Sequence, residues 1–156
     1  MTDAHTLRLI LPPDAALALP ALRELRPSSP ALADAEALKD HLQAVESEGY
    51  RLVGAFEPGR TEAAAVAGYR VMTTLWEGPM LYVDDLSTLP HARGRGHGGA
   101  LLAWLDAEAR QLGCAAVHLD SGVGEARYTA HRQYLKHGMN IVAHHFQKTL
   151  SRQESP

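Results

Sequence analysis

No segment constrains the fold of this chain more than Arg93-Gly94-Arg95-Gly96-His97-Gly98-Gly99. Four glycines within six residues would cost a strand or helix interior too much backbone entropy, so they mark a loop. The apolar run Met80 to Leu89 precedes that loop. After it, Leu101, Leu102, Leu105 and Ala109 fall on one face of a helical pattern that Gly113 stops. A strand, a glycine loop and a helix amino terminus in that order make an anion site. Backbone N–H groups can approach a ligand closely, the helix dipole adds positive potential, and Arg93 and Arg95 supply guanidinium donors suited to pyrophosphate.

The flanking sequence supplies the rest of a mixed α/β domain. Thr6 to Leu11 reads as a strand ended by Pro12-Pro13. Asp14 stands at a helix-cap position before Leu17, Leu22 and Leu25, and Pro27-Ser28-Ser29-Pro30 breaks that helix. Leu32, Ala35, Leu38, Leu42 and Val45 form a second helical pattern ending near Gly49. Tyr50 to Phe56, Ala64 to Leu75 and Met80 to Leu89 then read as three strands joined by tight turns, an antiparallel meander. Beyond the glycine-loop helix come a strand over Ala115 to Leu119 and a helix over Glu125 to His137, with one or two strands within Asn140 to Leu150. With no internal repeat and no linker, residues 1–150 are expected to form one domain and 151–156 a frayed tail.

Composition narrows the function classes. An apolar share of 46% is that of a globular chain rather than a disordered one. Cys114 is the one cysteine, so no disulfide framework is available, and after Gly113 it reads as a small buried hydrophobe. No apolar run approaches the roughly 18–20 residues of a membrane span, so no membrane partner is expected. Met1-Thr2-Asp3 lacks the basic region of a signal peptide, which makes a cytoplasmic location the expectation. A net charge of −3 at pH 7 argues against nucleic acid as a partner. His144 and His145 are neighbours in an expected strand and point to opposite faces, while His118 and His131 lack metal-ligand spacing, so no metal is expected. Trp76 and Trp104 are expected in the core, with bordering a pocket the alternative for Trp76 beside its turn.

Three phosphate-bearing ligands compete for the glycine loop. A P-loop ends in glycine, lysine and a hydroxyl residue, whereas Gly98-Gly99-Ala100 offers neither lysine nor hydroxyl. Gly94 to Gly99 satisfies the dinucleotide fingerprint G-x-G-x-x-G literally, and Asp120 ends the next strand. That fingerprint opens a series of βαβ units, however, and here it follows a meander and leaves too little chain for more. Coenzyme A is the third ligand. Arg93 to Gly98 fits R-x-x-G-x-G, and at this point the sequence resembles the GNAT superfamily of acyl-CoA-dependent N-acyltransferases. Tyr82 to Pro90 is similar to the family's fourth strand, the helix from Gly98 to its third helix, and Leu119-Asp120-Ser121 to the end of its fifth strand. Arg127 to Met139 is similar to N-x-x-A-x-x-x-Y-x-x-x-G-F, with Ala130, Tyr134 and Gly138 in place. Arg127 stands where the family often has asparagine, and Met139 where it usually has phenylalanine.

The resemblance implies an α/β (α+β) fold, with a mixed, mostly antiparallel sheet of six to seven strands flanked by about four helices. It implies an acetyl-CoA-dependent N-acetyltransferase that acetylates a primary amine by direct transfer in a ternary complex. Acetyl-CoA would lie against Leu86, Ser87 and Thr88, against loop residues Arg93, Gly94, Arg95, Gly96, His97, Gly98 and Gly99, and against Arg127 and Tyr134. Leu86 matches the position whose backbone N–H polarises the thioester carbonyl. An alkyl amine with a pKa of about 10 is almost wholly protonated at neutral pH, so transfer needs a base, and the leaving thiolate needs an acid. Asp84 matches a carboxylate of relatives that act on sugar amines and is the candidate base. Tyr134, a phenol protonated at neutral pH, is the candidate acid.

Strand alternation sends Asp84 and Asp85 to opposite faces unless a bulge intervenes. Asp85, Asp120 and His131 are candidate acceptor-binding residues, and the three acidic residues favour a small cationic amine. The Arg127 departure leaves open a non-catalytic acyl-CoA-sensing module on the same fold. An exposed edge strand near the carboxyl terminus would serve a homodimer.

Overall fold

Five strands lie side by side in chain order: β1 (Thr6–Leu9), β2 (Arg51–Phe56), β3 (Ala65–Thr74), β4 (Gly78–Thr88) and β5 (Val117–Leu119). The first four pair antiparallel and β5 joins β4 in parallel. They belong to the first of two compact units into which the chain divides, Met1–Leu119 and Asp120–Pro156. The computed structural model describes residues 5–151.

Helices cover both faces of this sheet. On one side α1 (Leu19–Leu25) and α2 (Ala35–Ala44) bury Leu22, Leu38 and Leu42 against Leu52, Phe56 and Val66. On the other, α3 (His97–Gln111) buries Leu101, Leu105 and Ala109 against Val53, Ala67, Tyr69, Leu81 and Val83. Successive residues of β2 and β3 therefore serve opposite cores, which is why these strands read as continuous apolar runs rather than as an alternation. Trp104 fits this plan, its ring edge-on to Tyr69 at 5.7 Å.

Several local expectations change. Asp14 caps no helix: the prolines begin a 3-10 turn over Pro12–Leu17 themselves, so Asp14 falls inside its first turn. The cap belongs to Asp34, whose Oδ1 accepts from the Ala37 N–H at 2.8 Å and starts α2. Trp76 is not in the core but 71% exposed, because β2 pairs with β3 only as far as Tyr69 and the rest of the β3–β4 hairpin projects past it. Its ring stands edge-on to His118, which pairs with Glu77 at 2.6 Å.

In the second unit a 3-10 turn, Glu125–Arg127, leads into α4 (Tyr128–Lys136). No strand forms over the described residues from 140 onward, so the sheet has five strands and not six to seven. A strand persists only with a paired neighbour, and among the described residues this unit contains no other strand. Ile141, Val142, Phe146 and Leu150 are accordingly exposed. The frayed tail expected over 151–156 lies, beyond Ser151, outside the described residues, as does Met1-Thr2-Asp3. No helix among the described residues is long and apolar enough to cross a membrane.

One close approach fixes the middle of the sheet. A Cβ at Gly68 in β3 would lie 1.8 Å from the Tyr50 hydroxyl oxygen and 2.5 Å from its Cζ. Gly68→Ala must therefore displace the whole phenol ring, and overpacking of this kind costs about 1–3 kcal/mol. The expected outcome is a lower urea midpoint with an unchanged slope; a wild-type midpoint would contradict the contact.

Candidate active site

Carboxylates gather where β4 breaks register. Tyr69 pairs with Val83 and Gly68 with Asp85, so Asp84 is an extra residue, a β-bulge. Directly opposed residues share a face. Tyr82 opposite Arg70 and Asp85 opposite Gly68 point to the α1/α2 side, and Val83 opposite Tyr69 to the α3 side. The bulge brings Asp84 round to the side of Asp85, as their shared neighbours demonstrate. Asp84 Oδ2 accepts from Arg70 Nε at 3.0 Å, and the Arg70 guanidinium lies 5.5 Å over the Tyr50 ring. The Tyr50 hydroxyl donates to Asp85 Oδ2 at 2.9 Å, and Arg26 Nε donates to Asp85 Oδ1 at 3.1 Å. Arg26 Nη2 also reaches the Asp84 carbonyl at 3.2 Å, and Arg70 Nη1 reaches Glu48 at 2.9 Å.

The electrostatics of this cluster favour a cation. Two arginines face three carboxylates, which leaves one negative charge over. Burial raises the Asp84 carboxyl above its ordinary 3.8 despite the opposing pull of Arg70. Burial and then the neighbouring Asp85 drive the Tyr50 phenol far above its ordinary 10.0, so it stays protonated and donating.

Past the bulge, one edge of β4 stands open. β5 pairs with β4 only over Leu81–Val83, so among the described residues no strand covers that edge from Asp84 to Thr88. The Leu89 N–H donates to Ala64 on the β3 side, and strand alternation directs the Leu86 and Thr88 N–H groups to the open edge. The Leu86 side chain packs into the α3-side core, and Ser87, opposite Val66, is buried on the other face.

The glycine loop follows. Gly94 and Gly96 hold φ of 77° and 85°, a backbone that side chains resist, and Gly96 is the cap residue of α3. Ala100 is the first residue of the helix whose N–H finds an intrahelical acceptor, the Gly96 carbonyl at 3.0 Å. The N–H groups of His97, Gly98 and Gly99 come before it and point out of the helix end. Arg93 Nη2 pairs with Glu24 at 2.8 Å, and Arg95 Nη1 with Glu57 at 3.0 Å. The His97 ring is buried on Glu57, so what this residue presents at the helix end is backbone.

The second unit carries the remaining candidates. Tyr134 is half-buried in α4, and burial raises its phenol above 10.0 against the opposing effect of Arg127, the residue that caps the helix. His131 Nε2 donates to the Gly122 carbonyl at 2.8 Å and lies 3.1 Å from Ser121 Oγ. Asp120 Oδ1 stands 3.5 Å from His145 Nδ1.

Tyr50, Arg70, Arg26 and Glu48 are absent from the sequence-derived set. The one signal for them was Gly68, a glycine inside a strand pattern that marks close approach of another group. The cluster makes a testable statement about stability. Because the Asp84 carboxyl titrates higher in the fold than unfolded, its contribution is fully present below its unfolded value and is lost as pH rises through the folded one. Ionised Asp84 therefore costs stability at neutral pH. Asp84→Asn is expected to melt above wild type at pH 7, the gap closing as the pH falls toward 3.8. Identical melting curves at pH 7 would refute this.

Comparison with known proteins identifies the family. The chain matches the description "Acetyltransferase (GNAT) family" over residues 19–139, which runs across both units. It is 33% identical over 119 residues to an uncharacterized N-acetyltransferase of Bacillus subtilis, covering 75% of this chain and 81% of that one. It is 38% identical over 68 residues to the aminoalkylphosphonate N-acetyltransferase of Salmonella typhimurium, covering 44% of this chain and 43% of that one. An aminoglycoside N-acetyltransferase solved in complex with CoA shares the fold at a TM-score of 0.78 and 15% identity, over 94% of this chain and 95% of that one. The chain belongs to the GNAT family of acetyl-CoA-dependent N-acetyltransferases.

Proposed function

We propose that this chain transfers the acetyl group of acetyl-CoA directly to the primary amine of a small cationic acceptor, within a ternary complex. The observation that carries this reading is the β4 bulge, which gathers Asp84 and Asp85 on one face of the sheet, beside the open edge of the same strand. The pyrophosphate of acetyl-CoA binds at the amino end of α3 through the backbone of Gly94, Gly96, His97, Gly98 and Gly99 and through Arg93 and Arg95. The donor's acyl arm runs along Leu86, Ser87 and Thr88, and the Leu86 N–H donates to the thioester carbonyl oxygen as negative charge develops there. Support for acetyl-CoA comes from the family and from the neighbour of the same fold solved with CoA.

In the reaction the neutral amine nitrogen attacks the thioester carbonyl carbon. A C–N bond forms, the C–S bond breaks, and the amine proton passes through water to Asp84. The departing thiolate takes the Tyr134 proton, a transfer for which a phenol is well matched. Asp84, raised above the ordinary aspartate value by burial, is a better base than a surface aspartate. Asp85, Asp120 and His131 bind the acceptor, and Arg127 reaches a phosphate of the donor. The relative named for aminoalkylphosphonates supports a small-molecule amine as the acceptor class. On this reading residues 1–150 make up one acyltransferase domain.

A panel of small amines with acetyl-CoA, read as CoA release, tests the activity; no release with any amine would favour an acyl-CoA-sensing module instead. With an accepted amine, Tyr134→Phe should lower kcat by about 10²-fold with little change in acetyl-CoA affinity, as loss of a general acid does. A wild-type rate would remove Tyr134 from the mechanism. Alanine at both Arg93 and Arg95 should weaken acetyl-CoA binding by about 10²-fold in calorimetry, since each charge-assisted contact is worth more than 1 kcal/mol. Unchanged affinity would contradict the phosphate assignment.

A further inference from the structure

The loop arginines and glycines account for contacts to a donor, but not for what holds the loop in shape. A single oxygen does this across the sheet. Glu57 directly follows β2, and its Oε1 accepts both from Arg95 Nη1 at 3.0 Å and from His97 Nε2 at 2.8 Å. Those two residues flank Gly96, whose φ of 85° sets the turn from loop into α3. Two of the three members of the clasp are largely buried, while the Arg95 side chain is 48% exposed. The Glu57 side chain is 9% exposed and that of His97 is 1% exposed. The hydrogen bond from His97, with Arg95 behind it, holds the Glu57 carboxyl below the usual carboxylate range, so at neutral pH it accepts from both.

A packing role does not account for this arrangement. Among the described residues His97 Nδ1 is buried without a hydrogen-bond partner, and the ring sits edge-on to His5 at 5.1 Å. An apolar side chain of similar size would fill the space without that unpaired nitrogen. A buried acid–imidazole contact kept despite that cost is the kind of local inconsistency found at sites that serve function rather than stability.

We infer that Glu57 is a positioning residue for the acyl-donor site: its Oε1 clasps Arg95 and His97 across Gly96, fixing the turn that aims the first N–H groups of α3 and the Arg95 guanidinium at the donor's pyrophosphate. This rests on the assignment of the loop to acetyl-CoA made above. Because the clasp uses one oxygen as a double acceptor, the geometry and not the charge is what matters. A glutamine keeps that oxygen, whereas an alanine removes it and an aspartate draws it back by one methylene.

Calorimetric titration of the full-length protein with acetyl-CoA separates these cases, with backbone amide spectra of residues 94–99 recorded on each variant. Glu57→Ala and Glu57→Asp should each bind about tenfold more weakly, as expected for loss of preorganisation through charge-assisted hydrogen bonds. Their loop amides should be shifted before any ligand is added. Glu57→Gln should bind at least as tightly as wild type, since it keeps the acceptor and removes a negative charge near the pyrophosphate. Should the alanine variant not fold, the aspartate and glutamine variants carry the test. Wild-type affinity in Glu57→Asp, or weakening in Glu57→Gln as great as in Glu57→Asp, would overturn the inference. Tighter binding in Glu57→Ala would also overturn it, because Glu57 would then be only a competitor for Arg95. If wild type itself fails to bind acetyl-CoA, the loop assignment falls and this inference with it; if wild type binds and only the Glu57 series is flat, the assignment stands and the clasp alone fails.

Discussion

The extra residue in β4 is the feature on which the site depends. A regular strand would send the side chains of Asp84 and Asp85 to opposite sides of the sheet, one of them toward the apolar core under α3. With Asp84 bulged out, both carboxylates reach the α1/α2 side, where Arg70, Arg26 and Tyr50 hold them. The same irregularity falls where β5 stops pairing with β4, so the carboxylates and the open backbone edge occupy one stretch of one strand. Tyr50 links the parts. Its ring needs the bare backbone of Gly68 beneath it, its hydroxyl needs Asp85, and its face receives Arg70.

A second device is built at the amino end of α3. There the chain must turn sharply, so glycine stands at Gly94 and Gly96, and that freedom has to be removed again if the helix end is to point in one direction. The loop's side chains are anchored outward to carboxylates of other elements, Arg93 to Glu24 in α1 and Arg95 with His97 to Glu57 after β2. Flexible sequence is thus converted into fixed geometry by contacts more than 35 residues away in the chain.

Much of this was legible before any coordinates. The meander of β2, β3 and β4 and the helix after the glycines follow from runs and breaks in the sequence, because each is a local pattern with a local cause. The contingency at Asp84 and Asp85 was legible too, since alternation predicts opposite faces and a bulge is the one local way out. The errors share a different cause. A tryptophan beside a turn reads as core or as pocket border, yet the exposure of Trp76 depends on how far β2 runs alongside β3. Strands were expected after Asn140 from β-type residues, yet a strand exists only where another strand pairs with it. Asp14 looked like a cap, but two prolines had already begun the turn.

The sequence by itself determined the family, through its resemblance to known motifs, and the order of elements as far as α4, because glycine spacing, helix stops and apolar periods act over a few residues. Only the tertiary structure decided which groups surround Asp84 and Asp85 and which carboxylates pair with the glycine-loop side chains. Tyr50, Arg26, Arg70 and Glu57 carry no motif. Their roles arise from pairing register and from hydrogen bonds and ion pairs between residues 14 to 59 positions apart, and a partner chosen at that distance leaves little trace in local pattern.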